Sequence, residues 1–187
     1  TPVSPGLLAS YIGNGISWLV KRALTGDMHA TPDAALYEHA LPIFEKHYTE
    51  LLLASKPFDG AIEGLEAMKA AGFRLCCITN KLARYTGPLL RGTGLDKYFE
   101  IVLSGDTLPE KKPHPLPLLH AAKFFGVPIE KLLLIGDSLN DTVAARAAGC
   151  PVVCVPYGYN HGEPVESLDL DAVIPNLAAA MPLIKRA

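Results

Sequence analysis

From about residue 56 onward, short β-rich runs alternate with helical patterns: AIEGLEAMKAAG, FRLCCIT, KLARYTGPLLRGTG, FEIVLSG, PLPLLHAAKFFG, KLLLIGD, SLNDTVAARAAG, PVVCVP. This alternation constrains the fold more than any other feature, because parallel strands need crossovers and the crossovers are helices. Runs such as LLLI and VVCV are apolar on both faces, as strands of a sheet covered on both sides must be. Gly72, Gly92 or Gly94, Gly126 and Gly149 follow the helical stretches, where a helix stop commonly uses left-handed backbone. Residues 56–187 therefore read as an α/β domain with a parallel sheet.

The preceding stretch has no strand pattern. Ser4 followed by Pro5 reads as an N-cap with proline at the first helical position, and SPGLLASY ends at GNG before a second segment, ISWLVKRAL. Tyr37, Leu41, Phe44, Tyr48, Leu51 and Leu52 share one face of a long helix, which Pro42 is expected to kink or divide. Residues 1–55 thus read as a small helical domain joined through KPFDG to the α/β part.

With 187 residues, 49% hydrophobic composition and a net charge of −2, the chain can bury a sizeable core and offers no basic stripe for a phosphate backbone. Nucleic acid is not an expected partner. No apolar run approaches the roughly 20 residues that span a bilayer, and TPVSPGLLAS lacks the features of a signal peptide. The expectation is a cytoplasmic protein with no membrane association. Cys76, Cys77, Cys150 and Cys154 lie in or beside apolar runs without metal-type pairing and are expected to be buried thiols. Tyr11, Trp18 and the aromatic residues of the long helix are assigned to the core of the helical part rather than to a dimer surface, and a homodimer stays open.

Ligands of open α/β sheets sit outside the carboxyl ends of strands. Three polar signals fall there: Thr79, Asn80 and Lys81 after FRLCCI; Lys111, Lys112 and Pro113 after LSGD; and Gly136, Asp137, Ser138 and Asp141 after LLLI. Two carboxylates one helical turn apart form a hard oxygen cluster suited to Mg²⁺, with Asp137 as the direct ligand. Asp141 would orient a metal-bound water or pair with a lysine. The Thr79 hydroxyl and the Asn80 amide can donate to an anion, and a lysine completes a receptor for a phosphoryl group, whose transfer depends on positioning and charge neutralisation. Taken singly, each signal also has a structural reading: Asp137 or Ser138 as a helix cap, Thr79 and Asn80 as another, the lysines as solvated surface. His114, His120 and His161 show no pairing pattern, although His161 sits in a loop that can approach the site.

ITNK (Ile78 to Lys81), KKPHP (Lys111 to Pro115) and IGDSLND (Ile135 to Asp141) resemble, in order, the second, third and fourth motifs of the haloacid dehalogenase superfamily. The resemblance implies a Rossmann-like parallel sheet core with a small helical cap inserted after the first strand. YIGNG (Tyr11 to Gly15), RALTG, KPHP and VPYGYNHGEP (Val155 to Pro164) are most similar to bacterial phosphoglycolate phosphatases. It implies that Thr79 binds the transferring phosphate and that Lys112 neutralises it and the nucleophile. Asp137 would bind Mg²⁺ with Asp141 in support, and Gly13, Asn14 and Gly15 would face the organic part of a small phosphorylated acid, 2-phosphoglycolate. Sugar-phosphate phosphatases and phosphomutases are the enzymatic alternatives, and a non-catalytic phosphate- or protein-binding remnant is the other.

The superfamily's first motif, an Asp-X-Asp at the end of the first strand whose first aspartate attacks phosphorus, has no match upstream of the helical part. Asp169 and Asp171 have the spacing but follow all the other motifs and lead into a late short strand. In the superfamily the first strand lies between those assigned to FRLCCIT and KLLLIGD, so its absence would expose two inner edges. The expectation is that the chain as written neither folds stably alone nor turns over substrate. Either the sequence begins after a segment of the natural protein, or a separate piece supplies the strand, or the chain is a remnant.

Overall fold

The computed structural model describes residues 3–52 and 54–184. Three helices come first: α1 (Pro5–Ser10), α2 (Ile16–Thr25) and α3 (Ala34–Leu52). The Ser4 hydroxyl caps α1 by accepting from the Leu7 N–H at 3.3 Å, with Pro5 in the first turn. α2 packs on α3, where the Tyr37 hydroxyl donates to Ser17 Oγ at 2.8 Å. Contrary to the expectation of a break, α3 runs unbroken through Pro42. Pro42 and Glu38, whose carbonyl loses its partner, are both exposed, so water can satisfy that group. Leu51 departs from the predicted face: it is 69% exposed while Leu52 is buried. Among the described residues no helix is long and apolar enough to cross a membrane.

The alternation then appears as α4 (Ala61–Ala70), β1 (Cys76–Ile78), α5 (Ala83–Thr93), β2 (Ile101–Leu103), α6 (Leu116–Phe125), β3 (Leu134–Gly136), α7 (Leu139–Ala148), β4 (Val152–Cys154) and β5 (Ala172–Val173). Gly94, Gly126 and Gly149 close α5, α6 and α7 in left-handed conformation. All strand pairs are parallel. They form two ladders, β1–β2 and β3–β4–β5, and among the described residues none joins β1 to β3.

β4, paired on both edges, is wholly buried. Its side chains alternate as strand geometry demands. Val152 and Cys154 face a cluster with Leu118, Leu134, Ala144 and Ala145 from the α6–α7 side. Val153 and Val155 face a second cluster with Met68, Ile174 and Ala180. β1, with a single paired edge, is half-buried throughout. That corrects the expectation for its two cysteines: Cys150 and Cys154 are buried, whereas Cys76 and Cys77 are only partly so. All four are free, and burial pushes the Cys76 and Cys154 thiols up to about 12.

Asp169 and Asp171 lie away from the other motif residues, where both pair with Arg146 at 3.0 Å. Asp171 also accepts from the Val152 N–H at 2.7 Å, so this pair pins the start of β4.

α4 rests directly on a short 3₁₀ segment, Leu177–Leu183. A Cβ at Gly64 would stand 2.5 Å from the Leu177 carbonyl carbon and 2.8 Å from the Ala178 nitrogen. Backbone cannot swing aside as a side chain can. Gly64→Ala should therefore destabilise the fold by about 1–3 kcal/mol in denaturant melts, overriding the roughly 1 kcal/mol that alanine gains in helix propensity; a rise in stability would refute this packing.

Candidate active site

The carboxyl ends of β1 and β3 open onto one cavity of about 240 Å³, roofed by the turn between α1 and α2 and by α3. Thr79, Asn80, Lys112, Asp137, Asp141, Gly13 and Gly15 all line it. Four separate stretches of sequence therefore meet at one place.

Lys112 makes the central connection. Its ammonium donates to the Ile78 carbonyl at the end of β1 at 2.9 Å and to Asp141 Oδ1 at 2.5 Å. The two side chains are 11% and 2% exposed, so the pair lies out of bulk solvent. The other oxygen of Asp141 accepts from Ser138 Oγ at 2.7 Å, Ser138 N at 3.1 Å and Asp137 N at 3.2 Å. Ser138 and Asp141 thereby form a capping box at the start of α7. The capping reading and the lysine-pairing reading of Asp141 hold together, one on each carboxylate oxygen.

Asp137 has a different environment. Its Oδ2 accepts from the Tyr159 N–H at 2.9 Å, and among the described residues Oδ1 meets no donor. Gly158 makes that approach feasible, since a Cβ there would come within 2.0 Å of Asp137 Oδ2. Gly136 likewise leaves room for Asp141, whose Cβ lies 2.4 Å from where a side chain would begin. Burial, and then the charge of Asp141, push the Asp137 carboxyl above the usual range. Asp141 is also penalised by burial, but Lys112 and the donors from Ser138 and Asp137 outweigh that and hold it below the usual range.

No group of three or more His, Cys, Asp or Glu side chains comes together among the described residues. Asp137, which lines the cavity, supplies one hard oxygen, Oδ1, with no donor among the described residues. Mg²⁺ commonly takes only one or two protein carboxylates, with waters and substrate phosphate completing its octahedron. The residues present fit part of such a site.

The glycine-rich turn is held by its backbone. Asn80 Nδ2 donates to Gly13 O at 3.1 Å and to Lys112 O at 2.8 Å, and Asn140 Nδ2 reaches Gly13 O at 3.4 Å. Lys111 donates to Asn14 O at 3.1 Å, and His161 Nδ1 lies 2.8 Å from Ser10 O. The Asn80 side-chain nitrogen is thus committed to two carbonyls and is not free for an anion. Asn14 does not line the cavity, because Arg22 draws its Oδ1 at 2.9 Å. Thr79 Oγ1 accepts from the Lys81 N–H at 3.1 Å, which leaves its hydroxyl proton to donate.

Sequence reasoning singled out the aspartates of GDSLND and passed over Asn140 between them. It also passed over Tyr159, whose contribution is a backbone N–H and so leaves no trace in residue type. Lys81 and Tyr48 line the same cavity. Asn160 accepts from the Leu139 N–H at 2.8 Å, placing the loop after β4 against the start of α7.

A family model described as haloacid dehalogenase-like hydrolase matches residues 8–149, a span containing every predicted site residue. The chain belongs to this family. Two relatives of the hydrolase are named phosphoglycolate phosphatase. One, from Thiobacillus denitrificans, is 62% identical across 96% of this chain and 80% of its own length. The other, from Nitrosospira multiformis, is 52% identical across 96% and 79%. Among solved structures, a predicted phosphoglycolate phosphatase from Haemophilus somnus superposes with a TM-score of 0.91 at 33% identity, covering 98% of this chain and 83% of that one.

The two aspartates of the hydrolase should respond oppositely to pH. Asp141 titrates low when folded, so its stabilisation is full above the ordinary carboxylate range and fades as pH falls through its depressed pKa. Asp137 titrates high, so its cost grows as pH rises through its raised pKa and is complete once the group is ionised. In chelator at neutral pH, Asp137→Asn should therefore gain about 0.5–2 kcal/mol of stability. Lys112→Met should lose about 3–5 kcal/mol by stranding Asp141. Thermal melts of both variants read this directly, and equal effects of the same sign would contradict it.

Proposed function

We propose that the protein is a Mg²⁺-dependent phosphatase that hydrolyses a small phosphorylated acid, 2-phosphoglycolate, to glycolate and phosphate. The observation that carries this reading is the convergence of Thr79, Lys112 and Asp137 on one cavity from the ends of β1 and β3 and the loop between β2 and α6. Family membership and the two relatives' names support it.

The nucleophile in this proposal is an aspartate on a strand outside this sequence, docked between β1 and β3. Among the described residues β1 and β3 each have one unpaired edge, and most of their residues are only partly buried, which supports that placement. Lys112 already spans the interval, from the Ile78 carbonyl to Asp141 beside β3. Its positive charge would neutralise both the attacking carboxylate and the transferring phosphoryl group, while Asp141 fixes its position. Thr79 would donate its hydroxyl to a phosphoryl oxygen. Asp137 would hold Mg²⁺, which when bound supplies charge neutralisation at the phosphoryl oxygens. Attack forms an aspartyl-phosphate and breaks the ester P–O bond; water then hydrolyses the acyl phosphate. The helical part serves as a cap that excludes bulk water through the clamped Ser10–Asn14 backbone, and the cytoplasm is the expected compartment.

The substrate choice follows from the cavity. At about 240 Å³ it is smaller than the roughly 300–1,000 Å³ typical of sites for drug-sized ligands. From the cap, Ile12, Ile16 and Leu19 line it with Tyr48 as the one polar side chain, so that wall offers few partners to the hydroxyls of a sugar. That favours a short acid over a sugar phosphate.

With the full-length protein, a panel of phosphate esters should rank 2-phosphoglycolate above hexose and pentose phosphates, with activity lost in chelator and restored by Mg²⁺. Asp137→Asn should lower kcat by a factor of about 10² or more. Preference for a sugar phosphate would defeat the substrate assignment, and hydrolysis by the Asn variant near the parent rate would defeat the metal assignment.

A further inference from the structure

Three cations approach the cavity besides Lys112. Lys111 is engaged by the Asn14 carbonyl. Arg22, itself buried, gives its guanidinium to Met28 O, Tyr11 O and Asn14 Oδ1. Lys81 is different: it lines the cavity, and among the described residues no carboxylate pairs with it. Its ammonium meets the Tyr48 hydroxyl and lies 4.7 Å from the Tyr48 ring centroid. Glu45, one turn earlier on α3, is already paired with Arg84.

We propose that Lys81 is the specificity-determining cation for the substrate's carboxylate, with Tyr48 holding it in place. The inference rests on the phosphatase reading and deepens it. Lys81 and Thr79 leave the end of β1 together, linked by the Lys81 N–H to Thr79 Oγ1 bond of 3.1 Å, so the lysine starts beside the phosphoryl site. Its side chain extends to α3, whereas Lys112 is anchored between β1 and α7. The two ammonium groups thus stand on different walls of one small cavity. A ligand with a phosphate at one end and a carboxylate at the other, joined through a single methylene, offers an anion to each of them. Tyr48 is itself fixed, stacked on Phe44 at 5.6 Å and edge-on to Tyr85 at 5.2 Å, so the cation it holds is preorganised. Burial depresses the Lys81 pKa, a cost that a bound carboxylate would reverse.

The test compares 2-phosphoglycolate with ethyl phosphate, which has the same two carbons and no carboxylate, in the full-length protein. Lys81→Met should lower the ratio of the two kcat/KM values by about 10- to 100-fold, the range for losing a hydrogen-bonded charge contact, chiefly through KM for 2-phosphoglycolate. Lys81→Arg should recover a large part of that ratio. The Met variant should keep or raise its Tm, because an apolar side chain suits the half-buried site. A Tm loss with an unchanged ratio would overturn the proposal by reducing Lys81 to a packing partner of Tyr48. If the parent hydrolyses both esters and the ratio is indifferent to residue 81, the carboxylate role alone falls; if it hydrolyses neither, the phosphatase reading falls with it.

Discussion

Lys112 and Asp141 form a buried ion pair that ties together elements with no ladder between them. Asp141 belongs to the first turn of α7, directly after β3, and Lys112 reaches across to the last carbonyl of β1. A buried pair of this kind adds little net stability over an apolar substitute, because desolvation offsets most of the attraction. Its consequence is geometric. Every polar atom of the Asp141 carboxylate is occupied, so its position is determined, and Lys112 is determined with it. The carboxylate next door, Asp137, lines the cavity and among the described residues keeps one oxygen without a donor.

The clamp on the glycine-rich turn follows a complementary logic. Gly13 and Gly15 have positive φ and contribute no side chain, so the turn presents carbonyls where other turns present side chains. Asn80, Asn140, Lys111 and His161 bind those carbonyls from the α/β side. Asn80 also holds the carbonyl of Lys112, so one amide links the roof of the cavity to its floor. A carbonyl can be held through any residue type, but the φ of +131° at residue 13 favours glycine, and a Cβ there would crowd His161 Cε1 at 3.2 Å.

The α/β alternation was legible in sequence because each βα unit carries its own signal: a short apolar run, a helical pattern and a glycine stop. Ser4–Pro5 and the three carboxyl-end motifs were legible for the same reason, since capping and strand-end chemistry act over a few residues. What stayed hidden was set by partners far away in the chain. Periodicity placed Leu51 on the buried face of α3, yet only Leu52 has anything to pack against. The bond from Arg22, eight residues on, to the Asn14 side chain left no trace within GNG. The half-exposure of Cys76 and Cys77 depends on which edges of β1 are paired, and a CCI run is apolar in either case.

The same distinction separates the two lysines at the site. Lys112 is recognisable from KKPHP because its work is local to the motif and its partner, Asp141, stands in a second motif. Lys81 belongs to ITNK as well, but its significance lies in what α3 brings to it: a phenol and a ring face, and no acid. Charges that the fold has already balanced serve to position other groups. A charge left unbalanced beside a cavity keeps its interaction energy for a ligand, and by that criterion Asp137 and Lys81 would mark the two ends of the proposed binding site. One is an anion with a free oxygen and the other a cation without a counter-ion, each held at a cost in desolvation that the folded chain does not recover on its own.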